Sequence, residues 1–348
     1  MTKRISKKEG LELLKSAGLL ELGRMADSIR KGLHHEGIAT FVVDRNINYT
    51  NICINRCNFC AFWKEASSPD AYVIGMEELY KKIQETIGQG GTQILLQGGL
   101  NPELDMDYYL NLLRAIKGKF RINVHGFSPP EIIYMAEKSC LTVRETLMLL
   151  KDAGLDSIPG GGAEILSDRV RKVLSPKKIM SSFWLKVMHE AHRLGMRTTA
   201  TMMFGSIERP EDIIEHLESV RALQDKTGGF TAFIPWPFQP GNTAYASKVH
   251  PATAVEYLRV LSISRLYLDN IPNIQASWVT QGIRLAQVAL RFGANDLGST
   301  MLEENVVSAA GIRHIVSKED IISAIRGAGF IPAQRDTYYN LLKRYQEA

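Results

Sequence analysis

Between residues 46 and 299 the chain repeats one pattern: a short apolar stretch with strand character, then a longer stretch with apolar residues at helical spacing. The strand-like stretches are 46–51, 92–97, 120–125, 155–158, 197–204, 229–235, 273–278 and 295–299, and the helical ones include 76–88, 105–117, 142–153, 179–194, 210–225 and 252–270. Strands that alternate with helices pair in parallel, because a crossover helix carries the chain back to start the next strand in the same direction. Eight such units predict an α/β fold, a closed (β/α)8 barrel of the TIM type, and a chain of 348 residues accommodates one barrel of roughly 250 residues with extensions. Leu11, Leu14, Leu19, Leu22, Met25 and Ile29 recur at helical spacing on either side of Gly18, so residues 1–40 are expected to form an N-terminal helical lid. The barrel is assigned to 41–305, and 306–348 to a closing segment with a helix starting at Lys318 and a terminal helix over Tyr338–Tyr345. No repeat, low-complexity tract or linker divides the chain, so a single domain is expected.

Three of the four cysteines fall in one run, Cys53-Ile-Asn-Arg-Cys57-Asn-Phe-Cys60, immediately after the first predicted strand. Three thiolates can hold three irons of a four-iron cluster and leave the fourth open to a chelating small molecule, which points to chemistry rather than electron storage. Structural zinc is disfavoured, since it needs four ligands and no second cysteine pair or nearby histidine completes the set. Cys140 stands alone and is read as an inert packed thiol.

Charge and hydropathy limit the partners. The 42 basic and 37 acidic residues leave a net charge of +5, scattered along the chain. The doublets Lys7-Lys8 and Lys177-Lys178 are read as solvated helix surface, because no basic run with interleaved aromatics accompanies them and nucleic acid is therefore not expected. No stretch reaches the roughly 18 apolar residues of a membrane span, and Met1–Glu9 lacks the apolar core of a signal peptide, so a cytoplasmic enzyme of small molecules is expected.

In such a barrel the chemistry gathers where strands exit at their carboxyl ends. Gln97-Gly98-Gly99-Leu100 leaves the second strand, and paired glycines allow a ligand close to the backbone. His125 ends the third strand, where it is as much a structural hydrogen-bonder as a catalyst. Pro159-Gly160-Gly161-Gly162-Ala163-Glu164 frees several amides after the fourth strand, but the Lys and Ser/Thr of a phosphate loop are missing and no G-x-G-x-x-G occurs. The sixth strand exits into Ile234-Pro-Trp-Pro-Phe-Gln-Pro240, a stiff loop whose Trp236 and Phe238 could wall an aromatic substrate or anchor the loop. Gln275-Ala-Ser-Trp-Val follows the seventh strand, and Leu297-Gly-Ser-Thr-Met-Leu-Glu-Glu-Asn305 begins at the eighth.

The cysteine spacing, with aromatic Phe59 before the last cysteine, resembles the radical S-adenosylmethionine (SAM) superfamily. The resemblance implies a [4Fe-4S] cluster on Cys53, Cys57 and Cys60, with the amino and carboxylate groups of SAM on the open iron. It further implies one-electron cleavage of SAM to a 5'-deoxyadenosyl radical, SAM contacts from Phe59, Gln97, Gly98, Gly99, Glu164 and Gly205, and reduction by a flavodoxin or ferredoxin. Leu100 stands where the superfamily often has an acid. Taken together, Asn46–Asn51, Gln97–Leu100, Pro159–Glu164, Gln275–Val279 and Leu297–Asn305 closely resemble the dehypoxanthine futalosine cyclases of the futalosine route to menaquinone, with a departure at Ser206, where that family favours histidine. This implies a substrate, dehypoxanthine futalosine, held by Trp236, Phe238, Gln275 and Trp278, with His125 and Ser277 as polar contacts or proton acceptors. Aminofutalosine synthase, a deazaflavin-forming synthase and a non-catalytic iron–sulfur carrier are the alternatives.

Overall fold

The computed structural model describes residues 4–346; residues 1–3, where the stretch read above for a signal peptide begins, and residues 347–348 lie outside it. Eleven strands occur: β1 Ile38–Val42, β2 Asp44–Asn48, β3 Gln93–Gln97, β4 Asn123–Gly126, β5 Ser157–Ile158, β6 Arg197–Phe204, β7 Phe230–Pro237, β8 Asn273–Ile274, β9 Asp296–Ser299, β10 Ile331–Arg335 and β11 Leu341–Arg344. Strands β2 to β8 pair in chain order as one parallel sheet. The ring then closes through β9: Gln275 bridges Asp296 in parallel, and β9 pairs with β1, which runs on into β2 across Val43. The eight predicted strands correspond to β2–β9, and the α/β barrel is the fold.

Period-two alternation on β2 decides what the barrel interior contains. Asp44 and Asn46 face the lumen, whereas Ile47 is fully buried and Arg45 reaches Glu85 on the outer helix Met76–Gly88 at 2.9 Å. The helices Lys7–Ser16 and Leu19–Leu33 lie along the outer layer. A Cβ on Gly10 would stand 2.8 Å from Tyr267 and one on Gly23 2.6 Å from Phe292, so these glycines set how closely the two helices approach. None of their residues lines the cavities described below.

The tail corrects the sequence reading. The helix expected over Tyr338–Tyr345 is instead the hairpin arm β11, antiparallel to β10, which lies parallel to β1. Leu341-Leu-Lys-Arg344 is exposed throughout and made of helix-prone residues, but its backbone is captured by β10, and long-range pairing outweighs intrinsic propensity. The reversal is fixed by Asp336, whose carboxylate accepts from the amides of Tyr338 and Asn340 at 2.8 and 2.9 Å. The helix expected from Lys318 is present, as Lys318–Gly327. Among the described residues no helix is long and apolar enough to cross a membrane.

The core holds histidines in their neutral form. Burial pushes His125 and His216 down to about 3 and His192 down to about 4, against an ordinary 6.5. Between these values the unfolded chain binds protons that the folded chain refuses, so stability falls as pH drops below about 6.5. Burial raises Asp44 to about 6, which works in the opposite sense above its ordinary 3.8. Burial also raises Glu131 and lowers His34, so the lowered histidines outnumber the raised carboxylates and stability is expected to fall from pH 6.5 toward 4.5. Urea unfolding of the protein between pH 6.5 and 4.5 measures this slope; a flat profile would contradict the buried neutral histidines.

Candidate active site

The cysteine loop leaves β2 and is clamped on two sides. Cys53 N donates to Lys64 O at 3.2 Å and Ile54 N to Leu100 O at 3.0 Å, while Asn58 donates from its backbone to Leu174 O and from its side chain to Val173 O, each at 2.9 Å. Gly98 and Gly99 are required by contact. A Cβ on Gly99 would come within 2.2 Å of Ile52 O and 2.8 Å of Cys53 Cβ, and one on Gly98 within 2.5 Å of the Tyr49 ring. The turn is pinned from below by Glu131, whose Oε1 accepts from Gly98 N at 3.0 Å and Tyr49 OH at 2.7 Å. Its Oε2 accepts from Ser128 N at 2.6 Å and Ser128 Oγ at 2.5 Å, at the start of the helix Pro129–Lys138. Glu131 was not singled out above, although Ser128-Pro-Pro-Glu131 carries the Ser-x-x-Glu spacing of a helix-capping box.

Cys53, Cys57 and Cys60 line one cavity of about 250 Å³, together with Phe59, Gly99 and Glu164. Cys140 lies elsewhere, just past the end of the helix Pro129–Lys138, and is exposed, which corrects its reading as a packed thiol. Among the described residues no three His, Cys, Asp or Glu side chains converge as a ligand set for a metal ion. A four-iron cube takes each thiolate on a different iron, so its ligands need not converge on one point. Burial pushes the Cys57 thiol up to about 12, the nearby Lys178 ammonium pulling the other way.

Glu164 stands opposite the cysteines with a left-handed backbone, φ +39°, and is 7% exposed. Its Oε1 accepts from Lys178 Nζ at 2.6 Å. Its Oε2 is buried without a hydrogen-bond partner, Arg171 Nη1 standing 3.8 Å away. An unpartnered carboxylate oxygen on a cavity wall suits a ligand hydroxyl, since a carboxylate can only accept. The adjoining backbone is held by buried Arg171, which donates to the carbonyls of Ala163 at 2.5 Å, Gly162 at 3.2 Å and Ile179 at 2.5 Å. Lys178 overturns the reading of Lys177-Lys178 as solvated surface. Its side chain is only 13% exposed, pairs with Glu164 and lies 5.2 Å from the centre of the Phe59 ring. Burial alone would lower its ammonium, but the charge of Glu164 more than offsets this and holds it above the ordinary range. No local pattern betrays Lys178, because what buries it is a contact with a loop fourteen residues earlier in the chain.

The barrel lumen forms a second cavity of about 300 Å³, which shares Gln97, Gly161, Gly162, Glu164 and Trp236 with the first. His125, Gln275, Ser277 and Trp278 line it. Trp278 Nε1 donates to Ser299 O at 2.8 Å, Ser277 Oγ lies 2.8 Å from Thr280 Oγ1, and His125 Nδ1 lies 2.7 Å from Ser157 Oγ. Two predicted residues line neither cavity. Phe238 is 1% exposed and packs edge-on against Tyr245, the ring centres 6.2 Å apart, so here the aromatic anchors its own loop. Gly205 is tied by its amide to Glu208, which also accepts from Ser206 N at 2.9 Å and Ser206 Oγ at 2.6 Å, and this fully engages the departing Ser206 locally.

The radical SAM superfamily matches this chain over residues 47–220, and the CofH/MqnC C-terminal region matches residues 227–347. The chain is 48% identical over 345 residues to the cyclic dehypoxanthine futalosine synthase of Halalkalibacterium halodurans, covering 99% of this chain and 93% of that one. It is 43% identical over 343 residues to the enzyme of the same name from Streptomyces coelicolor, covering 97% and 86%. It is also 44% identical over 348 residues to the 5-amino-6-(D-ribitylamino)uracil--L-tyrosine 4-hydroxyphenyl transferase of Methanothermobacter thermautotrophicus, covering 97% and 95%. Among solved structures, methylornithine synthase superposes with a TM-score of 0.74 at 18% identity over 95% of each chain, a likeness of fold alone.

Proposed function

The chain belongs to the radical SAM superfamily, in the group that carries the CofH/MqnC C-terminal region, and we propose that it cyclises dehypoxanthine futalosine in the futalosine route to menaquinone. The observation that carries this reading is the union of the two cavities: the cysteine triad and the free oxygen of Glu164 open onto a lumen walled by Trp236 and Trp278. The relatives that bear the synthase name, 48% and 43% identical over nearly the whole chain, support the choice of substrate.

A [4Fe-4S] cluster on Cys53, Cys57 and Cys60, with SAM bound to it, would supply a 5'-deoxyadenosyl radical to take hydrogen from the ribose C4' of the substrate; C4' then bonds to the benzoate ring, and the ring regains aromaticity by losing its proton and one electron, for which the oxidised cluster would be the acceptor. The protein's own residues bind, orient and exclude water. The Gln97-Gly98-Gly99 turn lies against the Cys53 backbone and offers carbonyls to an ammonium group, and Phe59 packs beside it. Glu164 accepts from the hydroxyls of the adenosyl ribose. Gly205 is assigned to the adenine end through its neighbours on β6. Trp236 and Trp278 hold the benzoate ring, with Phe238 behind them as support, and Gln275, Ser277 and His125 make polar contacts. His125, kept neutral by burial, is suited to a hydrogen bond rather than to strong basicity. A flavodoxin or ferredoxin is the expected reductant.

A second reading is favoured by the Methanothermobacter relative, whose coverage and identity match those of the synthases: transfer of a hydroxyphenyl group from tyrosine to a ribitylaminouracil. The two readings separate in one experiment. Anaerobically reconstituted protein with SAM and dithionite is given dehypoxanthine futalosine, or tyrosine with 5-amino-6-(D-ribitylamino)uracil, and products are identified by mass spectrometry. Cyclised futalosine is the expected outcome; a coupled tyrosine–pyrimidine product in its place would reject the cyclase.

A further inference from the structure

The lumen has a floor that the barrel strands alone do not supply. The C-terminal tail, after running beside β1 as β10, sends Arg335, Thr337 and Tyr339 into the cavity opposite Asp44, Asn46 and Gln93. Arg335 is already committed: its Nε and Nη2 grip Asp296 at 2.5 and 3.1 Å, Nη1 donates to Asp336 O at 3.0 Å, and its guanidinium stacks 3.9 Å from the centre of the Tyr339 ring. Thr337 Oγ1 donates to Gln93 Oε1 at 2.6 Å, and Gln93 Nε2 donates to Asp44 Oδ2 at 2.5 Å. Within this otherwise paired network two lumen-lining side chains have a buried atom with no partner, Asn46 at Oδ1 and Tyr339 at its hydroxyl. Each such atom is costly to bury unless something meets it.

The charges decide what that something is. Asp44 and Asp296 are balanced by two cations, Arg335, which grips Asp296, and the buried Arg265 behind Tyr339, which is committed to the carbonyls of Gly293 and Pro272 and to Asn295, so the floor carries no net positive charge and no free cation for a carboxylate. A hydroxyl fits: it donates to Asn46 Oδ1, which accepts only, and exchanges a bond with the Tyr339 hydroxyl, which can donate or accept. We infer that Asn46 and the tail residue Tyr339 form a sugar-hydroxyl subsite at the floor of the lumen, which binds the pentose hydroxyls of the substrate and leaves its benzoate carboxylate directed away from the floor. The tail is then a determinant of substrate choice as well as the piece that closes the barrel. This inference rests on the cyclase reading above.

The test measures dissociation constants with the full-length, cluster-loaded protein. Tyr339→Phe removes only an oxygen that has no partner in the fold, and its melting temperature and iron content check that folding is intact. The probes are dehypoxanthine futalosine, its analogue lacking the pentose 2- and 3-hydroxyls, and 3-acetylbenzoate. The variant is expected to bind dehypoxanthine futalosine about 3- to 10-fold more weakly, the range of one neutral hydrogen bond. It should lose nothing further on the dideoxy analogue and bind 3-acetylbenzoate as the wild type does. Equal weakening toward the analogue, or weakened binding of 3-acetylbenzoate, would overturn the subsite. Asn46→Leu, measured in the same way, guards against a Tyr339 effect transmitted through Arg335: loss confined to Tyr339→Phe, with Asn46→Leu unchanged on all probes, also overturns it. Failure of the wild type to turn over dehypoxanthine futalosine at all would be seen before any variant is compared, and would remove the functional reading and the subsite together.

Discussion

Alanine at any one of Cys53, Cys57 or Cys60 abolishes 5'-deoxyadenosine formation, while Cys140→Ala leaves both iron content and SAM cleavage in place. The reason is geometric. The three thiols share one cavity under the Gly98-Gly99 turn, whereas Cys140 is exposed beyond the helix Pro129–Lys138. No other cysteine is available as a replacement, since the chain has four in all. Removal of the buried Cys57 thiol takes away a ligand that nothing else in the loop supplies. Iron analysis and 5'-deoxyadenosine yield after anaerobic reconstitution check the prediction. Equal loss of iron in Cys140→Ala would show the ligand assignment to be wrong.

Glu164→Gln is expected to fail twice, and the two failures can be separated. Lys178 would keep its charge in a pocket only 13% exposed with its carboxylate gone, and breaking one side of a buried pair costs about 3–5 kcal/mol, a fall of several degrees in melting temperature. The variant also loses the charged acceptor that faces the cysteine cavity, and a hydrogen bond to a charged group is worth about 1.5–3 kcal/mol, so SAM should bind about 10- to 100-fold more weakly. The double variant Glu164→Gln/Lys178→Met recovers the part of the stability lost through Lys178, Arg171 remaining buried without its carboxylate 3.8 Å away, but does not restore SAM affinity. Calorimetry and equilibrium titration with SAM read the two effects. A double variant that binds SAM as tightly as the wild type would make the Glu164–Lys178 pair purely structural.

The barrel was legible because β3, β6 and β7 carry apolar runs and the shorter, more polar strands recur between helical stretches at the same spacing, a pattern that depends on local sequence. The parts that were not legible depend on distant contacts. β10 and β11 exist because β1 offers an edge to Ile331–Arg335 and β10 in turn captures Leu341–Arg344, whose own composition favours a helix. Lys178 reads as one of two adjacent lysines until Glu164 and Phe59 are brought to it by the loop that Arg171 holds. Phe238 and Trp236 are equivalent in sequence, two large aromatics two residues apart, yet Trp236 lies within β7 and reaches the cavities, whereas Phe238 lies past its end and packs on Tyr245. The cysteine triad and the glycine turns could be found directly because their chemistry lies in residue type and spacing, whereas the lumen floor joins residues of β2 to a tail nearly three hundred positions away.

The central claim is that this protein takes hydrogen from the ribose C4' of dehypoxanthine futalosine and closes a ring. Dehypoxanthine futalosine deuterated at C4', incubated anaerobically with the reconstituted protein, SAM and dithionite, tests it most directly. The expected result is 5'-deoxyadenosine carrying one deuterium, formed together with a cyclised product that has lost that deuterium. Unlabelled 5'-deoxyadenosine with the substrate unchanged would contradict it.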